Sequence, residues 1–354
     1  MERERTMMLT SELDYDLPRQ FVAQHPAQRR DESRLLVLDR AAGRCAHRVF
    51  REIVECFREG DVLVLNDTRV LPVKLIGRRR TGGKVNLLLV REVRTGLWES
   101  MFISTNRLDE NEPLAFEEGA ITAFFRGRSP EGVPLVEFEN PAALPEKLAA
   151  CGRAPLPPYI KRQVFDDEFR CDDLERYQTV YASRPGAIAA PTAGLHYTPE
   201  ILDAIRARGV AIESLTLHVG PGTFKPVKTE TLEDHRVDPE RYEAPPGLPE
   251  RILRARAEGR RIVCVGTTSC RVLETLARMK DGEWRLSGWT DLFIRPPFSF
   301  RWVDVLQTNF HVPRSSLLAL VFAFAGREAI LSAYEEAKAQ SYRFYSYGDA
   351  MLIT

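Results

Sequence analysis

Residues 198–224, TPEILDAIRARGVAIESLTLHVGPGTF, contain the unit from which the fold is read. Thr198 is a helix cap, Pro199 suits the first helical position, and Glu200 puts an acid in the first turn. The helix is expected to run to Gly209. The β-branched, apolar run Val210 to Leu217 then reads as a strand. It stops at His218, and Gly220, Gly222, Thr223, Phe224 and Lys225 follow. Glycines let a backbone approach a ligand closely, and a strand that ends in such a loop is a common place for a small-molecule site. Taken alone, the stretch reads equally well as a tight turn around a satisfied histidine.

The same order of helix, glycine and strand recurs at Pro249-Glu250, Gly259 and Arg261 to Val265. Such alternation predicts an α/β fold, a mixed sheet with helices on its faces. Leu35 to Leu38 and Asp61 to Leu65 read as further strands, and Val49 to Arg58 as a short helix. Helices are also expected over Ser269 to Met279, Arg314 to Ala325 and Glu328 to Gln340. Between Val70 and Phe138 the pattern changes. Short strands (Val73–Gly77, Val85–Val90, Trp98–Ile103, Ile121–Phe125, Val133–Phe138) alternate with Gly82-Gly83, Gly96, Gly119 and Pro130. That pattern predicts a small all-β, barrel-like domain. The expected division is a discontinuous α/β catalytic domain, 1–70 and 141–354, with the barrel inserted at 71–140.

The 354 residues carry 50 basic and 50 acidic side chains. A net charge of zero argues against broad, sequence-independent nucleic-acid binding and leaves room for a local basic patch. No apolar run approaches the length of a membrane span, and Met1 to Thr10 has no signal-type apolar core. A cytoplasmic protein without a membrane partner is expected. The six cysteines form no Cys-x-x-Cys pair and the six histidines no His-x-x-x-His pair, so no metal site is predicted. Neither a Walker lysine pattern nor Gly-x-Gly-x-x-Gly is present, which argues against an ordinary ATPase or dinucleotide enzyme.

The chemistry is concentrated at strand ends. Asp61–Leu65 leads into Asn66, Asp67, Thr68 and Arg69. Ala187–Ala190 leads into Pro191, Thr192, Ala193, Gly194, Leu195 and His196. Val210–Leu217 leads into His218 and its glycines. Ile262–Val265 leads into Gly266, Thr267, Thr268 and Ser269, and Asp304–Gln307 into Thr308, Asn309, Phe310 and His311. In an open parallel sheet such ends share one edge, where ligands bind. Gly266–Ser269 reads as an anion site at a helix start or as an ordinary cap. Arg271 and Glu274 read as ligand contacts or as solvent-facing helix charges. Histidine is the natural acid or base near neutral pH, so His196, His218 and His311 are the catalytic candidates, while His25 and His47 read as ordinary. The alternation Tyr342 to Ile353 predicts a closing strand with core aromatics, from which Arg343, Tyr347 and Asp349 can also reach a ligand. Arg78-Arg79-Arg80 with Lys84 is the densest basic run, a solvated turn or a phosphate contact.

These stretches, taken as a set, resemble a known family. The resemblance rests on Asp14-Tyr15-Asp16-Leu17-Pro18, Arg30 to Leu36, Asp61 to Val70, Ala190 to Thr198, His218 to Phe224, Val265 to Ser269, Thr308 to Pro313 and Tyr342 to Met351. The chain is similar, over essentially its whole length, to the S-adenosylmethionine:tRNA ribosyltransferase-isomerases of queuosine biosynthesis. It departs from the family pattern at Asp238, where a histidine is usual, and at Pro297, where glycine is usual.

The resemblance implies the reaction. The aminomethyl group of 7-aminomethyl-7-deazaguanine at the wobble position of a tRNA with a GUN anticodon attacks the ribosyl moiety of S-adenosylmethionine. Epoxyqueuosine-tRNA forms, and adenine and methionine leave. S-adenosylmethionine is then a co-substrate, with no prosthetic group and no metal, and the enzyme is expected to be a monomer. Such chemistry needs a base beside the sulfonium, a proton donor for adenine, and polar clamps on the ribose. His218 and His311 are expected to share acid–base duty, with His196 and Asp291 in the catalytic set. Asn309, Asp291, Thr267 and Thr268 are expected to hold the ribose and methionyl groups. The remaining substrate contacts expected are Asn66, Asp67, Thr68, Arg69, Thr192, Gly194, Gly220, Gly222, Thr223, Phe224, Gly266, Ser269, Arg271 and Arg343, and the tRNA contacts Arg34, Arg78, Arg79, Arg80 and Lys84. Two rival readings are a nucleotide-dependent ligase or hydrolase using Gly266–Ser269, and a non-catalytic RNA-binding protein using the β domain.

Overall fold

A computed structural model describes residues 7–104, 108–162 and 168–354. The chain forms two compact units, Met1–Arg69 with Gln178–Thr354, and Val70–Tyr177.

The first unit is built on a nine-stranded mixed sheet. Its spatial order is Ser287–Thr290, Glu240–Glu243, Ala211–Leu217, Val62–Asn66, Ile262–Val265, Val305–Asn309, Ala350–Ile353, Arg34–Asp39 and Arg44–Val49. The four strands from Ala211–Leu217 to Val305–Asn309 are parallel. Ala350–Ile353 runs antiparallel to Val305–Asn309 and parallel to Arg34–Asp39. The carboxyl ends of the four central strands therefore share one edge with the amino ends of Arg34–Asp39, Glu240–Glu243 and Ala350–Ile353. All five residues of Val62–Asn66 are buried, as a parallel strand covered on both faces requires. On one face Leu63, Leu65, Val263, Val265 and Leu352 pack with Ile201, Leu202 and Ile205 of the helix Pro199–Ala207. Each such side chain contributes about 1.5–3 kcal/mol by leaving water. The helix Gly266–Leu276 packs across the four central strands.

Local departures from the sequence reading have identifiable causes. The expected helix Val49–Arg58 is a 3-10 segment, Phe50–Cys56, and its tighter turn puts Phe50 and Ile53, three apart, into the same core. Ala187–Ala190 is not a strand of the large sheet. The strand there is Arg184–Ala187, outside that sheet, and Pro185 within it and Pro191 beyond the expected strand each lack a backbone N–H. Ile188 instead donates to the Val219 carbonyl at 3.0 Å, which ties the following Thr192–His196 turn to the same edge. Only Ala350–Ile353 of the C-terminal alternation is a strand, because Tyr345 takes a left-handed φ of 72° and breaks the run. Glu274 does not face solvent. It is fully buried and accepts from the backbone N–H groups of Arg301, Trp302 and Val303 and from Arg278.

The second unit contains a closed antiparallel barrel of six strands, in the order Pro134–Phe138, Leu97–Ser104, Lys84–Arg94, Lys74–Arg79, Pro113–Phe116 and Ile121–Arg128. Alternate residues Val85, Leu87, Leu89, Leu114 and Phe116 fill it. Pro113–Phe116, four residues long with two facing inward, was too short a pattern to read as a strand. The expected boundary at 140/141 moves to 177/178. The helices Leu144–Cys151 and Arg170–Arg176 belong with the barrel, anchored by buried Leu144 and Leu148 and by mutual backbone bonds between Lys74 and Arg153 at 3.2 and 2.9 Å. Gly77 marks the tightest strand crossing, since a Cβ there would lie 2.3 Å from the Ala115 carbonyl oxygen. Gly77→Ala is expected to cost about 1–3 kcal/mol through this overpacking, read as a lower denaturant midpoint for the full chain. An unchanged midpoint would show that the two strands part at no cost.

Candidate functional site

Asn66 is the last residue of the central strand and is fully buried. Its Nδ2 donates to the Leu217 carbonyl at 3.0 Å and to Thr268 Oγ1 at 3.1 Å. Its Oδ1 accepts from the backbone N–H groups of Leu217 at 3.0 Å and Thr68 at 3.1 Å. One amide thus ties together two strand ends, the chain leaving the first of them, and the first turn of the helix Gly266–Leu276. The neighbouring Asp67 accepts from Thr216 Oγ1 at 2.6 Å and Ser183 Oγ at 2.8 Å. Arg69 is exposed.

His218 follows directly. Its Nδ1 lies 2.9 Å from Thr68 Oγ1, and among the described residues no group is bonded to Nε2. The ring is half-buried, and burial, assisted by the Arg241 cation, lowers its pKa from the ordinary 6.5. Gly186 lies against the ring, where a Cβ would come within 2.7 Å of it. Beyond His218, the Gly220 N–H donates to Glu240 Oε1 at 2.8 Å. The other oxygen of Glu240 is paired with Arg271, whose guanidinium also donates to the carbonyls of Thr290 at 3.2 Å and Leu292 at 3.1 Å. Burial raises the Glu240 pKa even against the nearby Arg271. Arg271 is therefore committed to the protein: it fastens the loop after His218 to a helix and to the strand Ser287–Thr290. Asp291 follows that strand and is exposed.

His196 is buried, with Nδ1 at 2.7 Å from Ser33 Oγ and Nε2 at 3.3 Å from Asn309 Nδ2. Asn309 Nδ2 also donates to the Tyr345 carbonyl at 3.1 Å, so His196 Nε2 accepts and Nδ1 carries the proton. Burial holds the His196 pKa down at about 4 and the ring is neutral. His311 is buried too, bonded through Nε2 to Thr308 Oγ1 at 2.9 Å, and burial lowers its pKa to about 3. The three histidines share the region but have separate partners. Among the described residues, Asn309 Oδ1, Ser269 Oγ and both amide atoms of Gln307 are buried without a hydrogen-bond partner. Register pairs Gln307 with Val265 and Leu352, which places it on the face covered by Ala193 and Tyr197. The helix at Gly266 opens at φ 84° without a side-chain cap. Thr267 is buried in its first turn.

Several expected contacts hold the protein together. A Cβ at Gly194 would sit 2.0 Å from the Tyr181 hydroxyl, and one at Gly222 would sit 2.5 Å from Asp238 Oδ2. Thr192, Gly220 and Thr223 are half-buried at the edge. The Phe224 side chain lies outside the described residues. Arg34 and Arg343 converge on buried Asp349: the backbone N–H groups of both donate to its carboxylate, at 2.9 and 2.7 Å. The Arg34 guanidinium donates to the Gln340 carbonyl at 2.6 Å and lies 4.1 Å over the Tyr342 ring. In the barrel unit Arg79 pairs with both oxygens of Glu112, at 2.6 and 2.7 Å, while Arg78, Arg80 and Lys84 are exposed. Among the described residues no cluster of three or more His, Cys, Asp or Glu side chains is placed to hold a metal, and no single helix is long and apolar enough to cross a membrane.

A family model described as "Queuosine biosynthesis protein" matches residues 10–353. The chain belongs to this family. An S-adenosylmethionine:tRNA ribosyltransferase-isomerase of Thermotoga maritima is 45% identical over 348 residues, 98% of this chain and 100% of that protein. One from Pelobacter propionicus is 47% identical over 349 residues, with the same coverage of 98% and 100%. The crystal structure titled as the S-adenosylmethionine tRNA ribosyltransferase of Thermotoga maritima superposes with a TM-score of 0.55 and 35% identity, covering 97% of this chain and 100% of that one. The family is one of transferase–isomerase enzymes, and it shares the large mixed sheet and the antiparallel barrel.

The family's strand-end motifs therefore fall on one sheet edge here. Four groups that organise that edge were not assigned a role from sequence: Ser33, Glu240, Gln307 and Asp349 as an anchor. Gln307 carried a signal, a lone amide in the otherwise apolar run Val305-Leu306-Gln307. Ser33 and Glu240 look like ordinary surface residues until the chain is folded, and Asp349 reads in the chain as a ligand contact and not as an anchor. Removing one partner of the Glu240–Arg271 pair strands a buried charge, so Glu240→Leu or Arg271→Met should each cost about 3–5 kcal/mol. The double variant Glu240→Leu/Arg271→Met should cost clearly less than the sum. Urea unfolding of the three variants checks this, and strict additivity would show that the pair is not coupled.

Proposed function

We propose that this enzyme transfers and isomerises the ribosyl moiety of S-adenosylmethionine onto 7-aminomethyl-7-deazaguanine at the wobble position of a tRNA with a GUN anticodon. Epoxyqueuosine-tRNA forms, and adenine and methionine are released. The observation that carries the reading is near-full-length similarity to proteins named S-adenosylmethionine:tRNA ribosyltransferase-isomerase. The chemistry of the sheet edge supports it, since neutral hydrogen-bonding groups suit a ribose and an imidazole suits proton transfer.

Within this reading His218 is the base that removes the proton beside the sulfonium. It is the half-buried histidine of the three at the edge, and its lowered pKa keeps it neutral at pH 7. In the tautomer whose Nδ1–H donates to Thr68 Oγ1, the lone pair of Nε2 is left for the substrate. His196 and His311 are buried and bonded to neighbours, and we give them positioning roles. His196 orients the Asn309 amide, whose Oδ1 then accepts from a ribose hydroxyl, with Thr267 and Thr268 beside it at the helix start. Arg78, Arg80 and Lys84 are the proposed phosphate contacts for tRNA, a footprint small enough for a neutral protein.

His218→Ala should lower single-turnover adenine release on precursor tRNA by about 10²- to 10⁴-fold, with the fold retained. The neutral form of His218 is the active one, so kcat/KM should be level at pH 7. It should fall only as pH drops through a value below the ordinary 6.5. A loss under about tenfold would return His218 to a packing role. Wild-type enzyme that releases no adenine from S-adenosylmethionine and precursor tRNA would overturn the reaction itself.

A further inference from the structure

Beside the turn that carries Gly222 and Lys225 lies a cleft that the strand-edge groups do not account for. Its lining has two chemistries. Leu292 and Phe293, which follow the strand Ser287–Thr290, and Leu317 and Leu320 of the helix Ser316–Ala325 make it apolar. Lys225 and Asp238 make it zwitterionic, with Nζ 2.6 Å from Oδ2 and side chains 57% and 45% exposed. The Glu240–Arg271 pair also lines the cleft, so the cleft adjoins the loop that carries His218.

We propose that this cleft is the subsite for an α-amino-acid head group on a linear apolar arm, and that it takes the methionyl arm of S-adenosylmethionine. The proposal rests on the ribosyl-transfer reading above. An amino-acid head presents a carboxylate and an ammonium on one carbon. Lys225 and Asp238 present the complementary cation and anion side by side. A half-exposed ion pair is weakly held, so the two side chains can exchange each other for the ligand's charges: the carboxylate takes Lys225 and the ammonium takes Asp238. Gly222 packs so closely on Asp238 that the turn bearing Lys225 and the segment bearing Asp238 keep a fixed spacing. The methylene and sulfur atoms of the arm meet Leu292, Leu320 and the Phe293 ring, a favourable partner for sulfur. His235 stands edge-on to that ring at 5.2 Å and fixes its orientation.

The test compares S-adenosylmethionine with its decarboxylated analogue, which lacks only the carboxylate. Wild-type enzyme should favour the intact donor in kcat/KM by about tenfold or more, the worth of a charge-assisted hydrogen bond. Lys225→Met should abolish that preference by lowering kcat/KM for the intact donor alone. Asp238→Asn should weaken discrimination against the deaminated analogue in the same way. Leu317→Trp, a half-buried lining position, fills the cleft and should abolish saturable binding of S-adenosylmethionine in calorimetry. Lys225 and Asp238 are half-exposed, and thermal unfolding of the variants verifies that they fold. The subsite is overturned if Lys225→Met weakens both donors equally, or if Leu317→Trp binds S-adenosylmethionine as wild type does. Failure of the wild type to release adenine from the intact donor would instead overturn the ribosyl-transfer reading, so the two failures are told apart.

Discussion

The amide of Asn66 is the interaction on which the working edge of the sheet depends. A parallel strand that ends leaves the N–H and C=O of its last residues without a ladder partner, and buried groups of that kind are costly. Asn66 presents a side chain with the same donor and acceptor as a peptide group, and with it satisfies both backbone groups of Leu217. Its remaining bonds go to the Thr68 N–H and to Thr268. His218 is the residue after Leu217, so its place is set by an amide one strand away. Thr68, held by the same amide, then fixes the His218 ring.

Buried charge does a different job in this protein. Glu240 with Arg271, Glu274 with three consecutive backbone N–H groups, Asp349 with the N–H groups of Arg34 and Arg343, and Asp61 with Arg261 all fasten loops to the sheet or its helices. A buried carboxylate is tolerable only when its oxygens are occupied, and these are. Such groups have little capacity left for a ligand. Among the described residues, neutral or half-exposed groups such as His218, Asn309, Gln307, Ser269 and the Lys225–Asp238 pair keep that capacity.

Much of the architecture was legible because it follows from local chemistry. The capped helix at Pro199, the apolar run before His218 and the recurrence at Gly259 pointed to the α/β sheet. The short, turn-punctuated strands from Val73 to Phe138 pointed to the barrel. The failures have physical causes. Pro113–Phe116 is too short for its alternation to stand out. The Pro141–Tyr177 segment joins the barrel through Leu144, Leu148 and the backbone of Arg153, contacts invisible to periodicity. The strand expected at Ala187–Ala190 forms no ladder with the large sheet, and the backbone bond from Ile188 to Val219 brings its loop to the edge.

By itself the sequence determined the α/β and barrel classes, the loops that carry His, Thr, Asn and Gly, and the family. These depend on residue type and spacing, which a linear chain displays. The tertiary structure alone decided which polar residues are free to act. Arg271, Glu274, Arg34 and Arg79 look like available charges in the chain, and each is tied up by a partner distant in sequence or one turn along its own helix. The three histidines look equivalent in sequence, yet depth of burial separates them, because the cost of charging an imidazole depends on the protein packed around it and not on its neighbours along the chain.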